Sequence, residues 1–315
     1  MYRAGNIDAA LDHIAALSKS SAFAREKQAW INTATRRKDV RNLEGALMLQ
    51  TEALFVAWNQ ADQFRATVSP ALLQDAKRLH HAVEAVAPKS PFIRGWYLLI
   101  ESFYQGKSCL SVPMLSVYLH RALESFPGDA ELLLAAGSRY ELMWWFAADN
   151  PQRHPSGRAG LFVDQLHRAR TFLRQSVASR VVIDEALLRL ARVLAALGDL
   201  DEAATHLKRY LSVVSDGSAR YMGHLVLGDL HERRGDRRSA AAAYQAAIAG
   251  VPVAQSARLA AAYLAHAEGN RAESAQEVVR AMSEPLTNAD PWWWYVRGRW
   301  WRFERDLKGM RAQVQ

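Results

Sequence analysis

The spacing of a few glycines constrains this chain more than any other feature. Gly235 and Gly269 stand 34 residues apart, each followed by a small polar residue, Asp236 or Asn270. At offsets of five, nine and twelve from Gly235 come Ala240, Tyr244 and Ala247; from Gly198, Ala203, Leu207 and Tyr210; from Gly269, Ser274, Val278 and Ala281. Gly198 precedes Gly235 by 37 residues, the excess falling in an Asp216-Gly217-Ser218 turn. A unit recurring at this period cannot bury its apolar face alone and has to stack on its neighbours. Within one unit, Gly228 interrupts a stretch that otherwise reads as helix, at a cost of about 1 kcal/mol relative to alanine.

The period, Gly228, the Gly235-Asp236 turn, the small Ala240 and Ala247, Tyr244 and the closing Pro252 together resemble a tetratricopeptide repeat. The resemblance implies an all-α fold, a right-handed superhelical solenoid of antiparallel helix pairs. It also accounts for Gly228: with Ala240 and Ala247 it marks where helices approach too closely for a larger side chain, and Leu227 and Tyr244 fill the space beside it. Gly235 supplies positive φ at little cost, Asp236 caps the second helix, and Pro252 stops it.

Sliding the same template upstream organises the rest. Residues 130–141 open a first helix with Gly137 in the place of Gly228, and 167–177 supply its second helix with Ala169 small. Residues 115–127 and 72–88 read as second helices, ending at Pro127 and Pro88, with first helices near 92–104 and 43–60. The division expected is degenerate repeats over 1–127, more regular ones over 128–288 with an insertion loop at 145–162, and a Trp/Arg-rich capping helix over 289–315, in one continuous solenoid. Gly5, Asn6, Ala10, Ile14 and Leu17 match the offsets seen from Gly235, so the chain opens halfway through a unit. A lone second helix would expose its apolar face, which raises the expectation of a first helix or a signal sequence upstream of Met1. The stretches 126–141, 46–53 and 290–299 are similar to bacterial members of the family, a likeness that carries no activity.

Composition excludes several classes. Cys109 is the sole cysteine, so there is no internal disulfide, cysteine zinc site or Cys-x-x-Cys pair. No apolar run nears the roughly 20 residues that cross a bilayer. The expected location is cytoplasmic by default, or exported should the true start lie upstream. A formal charge of +8 permits an acidic protein, nucleic acid or anionic lipid as partner without choosing among them.

Catalytic motifs are missing. Gly106-Lys107-Ser108 lacks the earlier glycine of a phosphate-binding loop, Glu101 standing in its place. His80 and His81 are adjacent, hence on different helix faces, and no His-Glu-x-x-His spacing occurs, so no metal and no cofactor are expected. His224 and His231 share a face but occupy places the repeat gives to aromatic residues. No nucleophile with its base is evident.

What remains is a groove, because the family resemblance implies a partner-holding surface lined by first helices. Carried over residue by residue, it points inward from Glu131, Leu134, Ser138 and Glu141, then Glu185, Leu188 and Arg192. Next come Met222, Leu225, Asp229, Glu232 and Arg233, then Ser256, Leu259, Tyr263 and His266, and finally Trp292, Tyr295, Arg299 and Arg302. Leucines, Arg192, Asp229 and Tyr263 stand where some members hold a terminal carboxylate with lysines and asparagines. The closing helix is expected to turn Trp294, Gly298 and Trp301 toward the last repeat as a cap, leaving Trp292, Trp293 and Trp300 partly spare for binding. Arg153, His154 and Arg158 give the insertion a basic character. The function expected is a non-catalytic scaffold or adaptor holding a peptide or helix of another protein. The alternatives are a helical-repeat nucleic-acid binder, suggested by the arginines and stacking tryptophans, and a helper subunit regulating an enzyme.

Overall fold

A computed structural model describes residues 6–17, 20–60, 70–107, 113–148, 159–283, 290–296, 298 and 302–314. The described residues are all-α and without strands. They divide into two compact units, residues 100–302, and residues 1–99 together with 303–315.

In the larger unit, the helices after α6 (Pro113–Ser125) pair in chain order. They are α7 (Ala130–Ala148) with α8 (Ala159–Ser176), α9 (Ile183–Leu197) with α10 (Leu200–Val213), α11 (Gly217–Arg233) with α12 (Arg237–Gly250), and α13 (Gln255–Ala267) with α14 (Arg271–Ser283). Each pair also packs on the next, α8 on α9, α10 on α11 and α12 on α13. One apolar core runs through the first three pairs into α13. Within three of these pairs the turn between the two helices repeats a single device: Gly198, Gly235 and Gly269 adopt φ of 90°, 75° and 83°. That conformation excludes most side chains but suits glycine. The Asp236 carboxylate then accepts from the Ser239 amide and caps α12.

The buried glycines meet large side chains. A Cβ on Gly228 would lie 2.2 Å from the Tyr244 ring, and one on Gly137 would lie 2.5 Å from Leu173 Cγ. Both contacts join the two helices of one pair, so the lost helix propensity is offset by interhelical packing.

In the smaller unit, α1 (Ile7–Leu17), α3 (Val40–Gln60) and α4 (Pro70–Val86) surround a further apolar cluster centred on Ala53, Leu54, Leu72 and Ala76, and α2 (Ser21–Arg36) packs on α3 and α4. Leu11 and Ile14 of α1 pack on that cluster, so the helix expected to expose its apolar face covers it against α3 instead. The opening of α5 (Pro91–Lys107) supplies Trp96 and Tyr97. The unit is completed by α16 (Phe303–Val314), whose Phe303 meets Phe55 edge-on at 5.3 Å and whose Arg311 grips Glu52 through Nε and Nη2 at 2.9 and 2.7 Å.

Two expectations need correction. The insertion is shorter than 145–162, since α7 continues to Ala148 and α8 starts at Ala159; Trp144 and Trp145 extend the helix because they have a surface to pack on. Residues 151–158 lie outside the described residues. The closing stretch is not one capping helix either. A short α15 (Pro291–Tyr295) packs on α11, and α16 packs on α3. Gly298 has φ 60°, which no α-helix contains, and its Cα faces Gln105 and Leu142 rather than the last repeat.

Candidate partner-binding site

Asp290 anchors α15 at its N-terminus. One carboxylate oxygen accepts from the Trp292 amide at 2.9 Å and the Tyr221 hydroxyl at 3.2 Å, and the other accepts from the Ser256 amide at 2.7 Å. The start of the aromatic stretch is thereby tied to α11 and α13. Tyr295, one turn on, reaches α7, where its hydroxyl donates to Glu141 at 2.6 Å.

Glu141 is fully buried and holds two guanidinium groups besides. Arg189 donates to one of its oxygens at 2.7 Å and Arg192 to the other at 2.8 Å. Arg189 also donates from Nε to Glu185 at 3.0 Å and lies 4.2 Å above the Tyr295 ring. Buried charges are stable only when paired and hydrogen-bonded, and here each has its counter-ion. Burial alone would lower the Arg189 pKa; its interactions with Tyr295, Glu141 and Glu185 outweigh that and hold it above the ordinary guanidinium value. Burial, then Glu141, pushes the Tyr295 phenol up.

Beside this cluster a cavity of about 380 Å³ opens among the first helices. Trp144 and Trp145 of α7, Arg192 of α9, Leu225, Asp229 and Arg233 of α11, and Ser256 and Ala260 of α13 line it, with Tyr244 and Trp292. Trp145 and Trp292 meet edge to face at 6.3 Å. Arg192 lies 4.9 Å above Trp292 and 5.8 Å from the Trp145 ring centre, a cation–π arrangement at both. Asp229 and Arg233 pair at 2.9 Å across one helical turn. The cavity thus offers aromatic faces, a pair of guanidinium groups and one carboxylate, a composition that suits a side chain of another protein.

Of the residues singled out in the sequence, Arg192, Leu225, Asp229, Arg233, Ser256 and Trp292 come together on this cavity. Glu141 and Tyr295 lie beneath it in the buried ion cluster. Glu232 accepts a short hydrogen bond from the Tyr244 hydroxyl. Tyr263 is 66% exposed and His266 is exposed next to it on α13, continuing the stripe begun by Ser256 and Ala260. Arg302 is buried between Glu185 at 2.8 Å and Glu131 at 3.7 Å. Leu134, Ser138, Leu188, Met222 and Leu225 are core positions. Arg299, Trp300 and Trp301 lie outside the described residues.

Sequence reading missed Arg189, Trp144, Trp145 and Asp290. Arg189 is fully buried, yet an arginine four residues after a glutamate reads as a solvated pair. His80 Nε2 and His81 Nδ1 lie 3.4 and 3.7 Å from Glu84 oxygens. Adjacent histidines do leave a helix in different directions, but Glu84 is four residues from one and three from the other, within reach of both.

Residues 157–219 and 225–285 match the family model described as tetratricopeptide repeat. With the paired helices and the glycine turns in place, these two stretches are tetratricopeptide repeats. No curated protein matches it. Among solved structures it is similar to PilW, described as a widely conserved type IV pilus biogenesis factor. The two are 18% identical over 69% of this chain and 89% of that one, with a TM-score of 0.47. It is also similar to YrrB, described as a TPR protein with an unusual peptide-binding site, at 15% identity over 66% and 93% of the two chains, with a TM-score of 0.42. For MamA the figures are 17%, 62% and 93%, with a TM-score of 0.43. These likenesses are too distant to carry a function across. No helix among the described residues is long and apolar enough to cross a membrane.

Proposed function

We propose that this protein is a non-catalytic scaffold that holds a segment of a partner protein on the first-helix face of residues 100–302. The partner inserts a side chain into the cavity between Arg192, Asp229, Arg233 and Trp292 and runs on past Tyr263 and His266. The observation that carries this reading is the convergence of six expected groove positions on one lined cavity, with an exposed aromatic residue, Tyr263, further along α13. Aromatic and arginine side chains together are the composition of interface hot spots. Residues 290–296 are a fixed wall of the site, tied down by Asp290 and Tyr295.

The pairing of the arginines supports a protein partner over a nucleic acid. Arg139, Arg189, Arg192 and Arg302 are each directed at a glutamate, whereas a phosphate backbone is held by clustered cations that remain available. Replacing Arg233 and Tyr263 by alanine tests the proposal. Both side chains are exposed, so the melting temperature should hold while capture of the partner from native extract is lost. Capture undiminished by the double substitution would refute the site.

A further inference from the structure

We propose that His80, His81 and Glu84 form a binding site for a divalent transition-metal ion, with zinc the best match to the donor set. One ligand atom from each lies within 4.8 Å of the others. His80 Nε2 stands 3.4 Å from one Glu84 oxygen, and His81 Nδ1 stands 3.7 Å from the other. Three ligands around tetrahedral zinc, at bonds of 2.0–2.2 Å, stand about 3.3 Å apart. The site is therefore close to metal-binding spacing before any ion enters.

The surroundings hold the donors in place. The His80 ring is fully buried and stacked on Trp96, with centroids 4.4 Å apart and planes 26° apart. Its Nε2 lies 3.2 Å from the Tyr97 hydroxyl, which itself makes a short hydrogen bond to Glu84. Packing against Trp96 fixes the direction of the imidazole, and the Tyr97 hydroxyl gathers His80 Nε2 and Glu84 at one point. Access comes from the opposite side. His81 is 56% exposed and borders an open cleft of about 660 Å³ between α2 and α4. An ion entering there meets His81 first. Two imidazole nitrogens and a carboxylate oxygen leave a fourth position for water or for the Tyr97 oxygen, which lies among the same donors. Nitrogen and oxygen donors of this kind favour zinc over calcium or magnesium, which take oxygen alone.

The test is titration of the full chain, freed of any histidine tag, with Co²⁺ followed by its visible absorption, and with Zn²⁺ by calorimetry. One equivalent should bind and give the intense bands of a tetrahedral cobalt site. His81→Ala removes a half-exposed ligand and Glu84→Gln keeps the shape of the side chain, so both should fold. Each should weaken binding by at least roughly tenfold, as losses around metal sites commonly do. Absence of a one-equivalent cobalt spectrum would overturn the assignment, as would unchanged affinity in both variants.

Discussion

Tyr295 donates its hydroxyl to Glu141 at 2.6 Å, joining residues 154 positions apart in the chain. Through this bond the tryptophan-rich stretch becomes part of the face that the repeats build, and the cavity between Trp145 and Trp292 acquires its second wall.

Glu141→Gln is expected to destabilise residues 100–302 strongly. The change leaves Arg189 and Arg192 buried without their shared carboxylate, and removing one partner of a buried ion pair costs about 3–5 kcal/mol. Tyr295→Phe deletes only one donor to a carboxylate that keeps both arginines, at about 1.5–3 kcal/mol. Chemical denaturation of the two variants gives the order; equal losses would mean that the arginines do not depend on Glu141.

Gly228→Ala should lower stability although alanine is the better helix former by about 1 kcal/mol. The added methyl would stand 2.2 Å from the Tyr244 ring, and overpacking of that kind costs about 1–3 kcal/mol. Gly309→Ala is the control, since Gly309 lies within α16 with open space around its Cα. It should raise the melting temperature where Gly228→Ala lowers it.

Alkaline unfolding should be cooperative. Burial, the largest cause in each case, pushes the phenols of Tyr210, Tyr221, Tyr244 and Tyr295 above their ordinary value of 10.0. The folded state then holds these protons more tightly than the unfolded chain. The stability this provides is whole below about pH 10 and is lost as pH rises through the folded values. Tyrosinate absorbance should show exposed phenols titrating first, and these four ionising together with loss of helicity.

Much of the larger unit was legible in the sequence because its determinants are local and repeated. Gly228 and Gly137 mark close approach at equivalent places, and Gly198, Gly235 and Gly269 mark the turns. The closing stretch was not legible in the same way. Its aromatic residues fit a helix by spacing, but where Pro291–Tyr295 docks depends on Asp290 meeting Tyr221 and Ser256, a relation between distant positions. Arg189 was hidden for another reason: charged residues on helices are ordinarily solvated, and only the fold reveals that Glu141, Glu185 and Tyr295 enclose this one. Asp229 and Tyr263, 34 residues apart, were legible as equivalent first-helix positions because one repeat offset relates them.

The scaffold reading is tested most directly by photo-crosslinking in cells, with the reactive group placed in turn at Arg233, at Tyr263 and at Lys208 on the second helix α10. One protein adduct shared by Arg233 and Tyr263 and missing from Lys208 is the expected result. Adducts no stronger from the cavity positions than from Lys208 would contradict it.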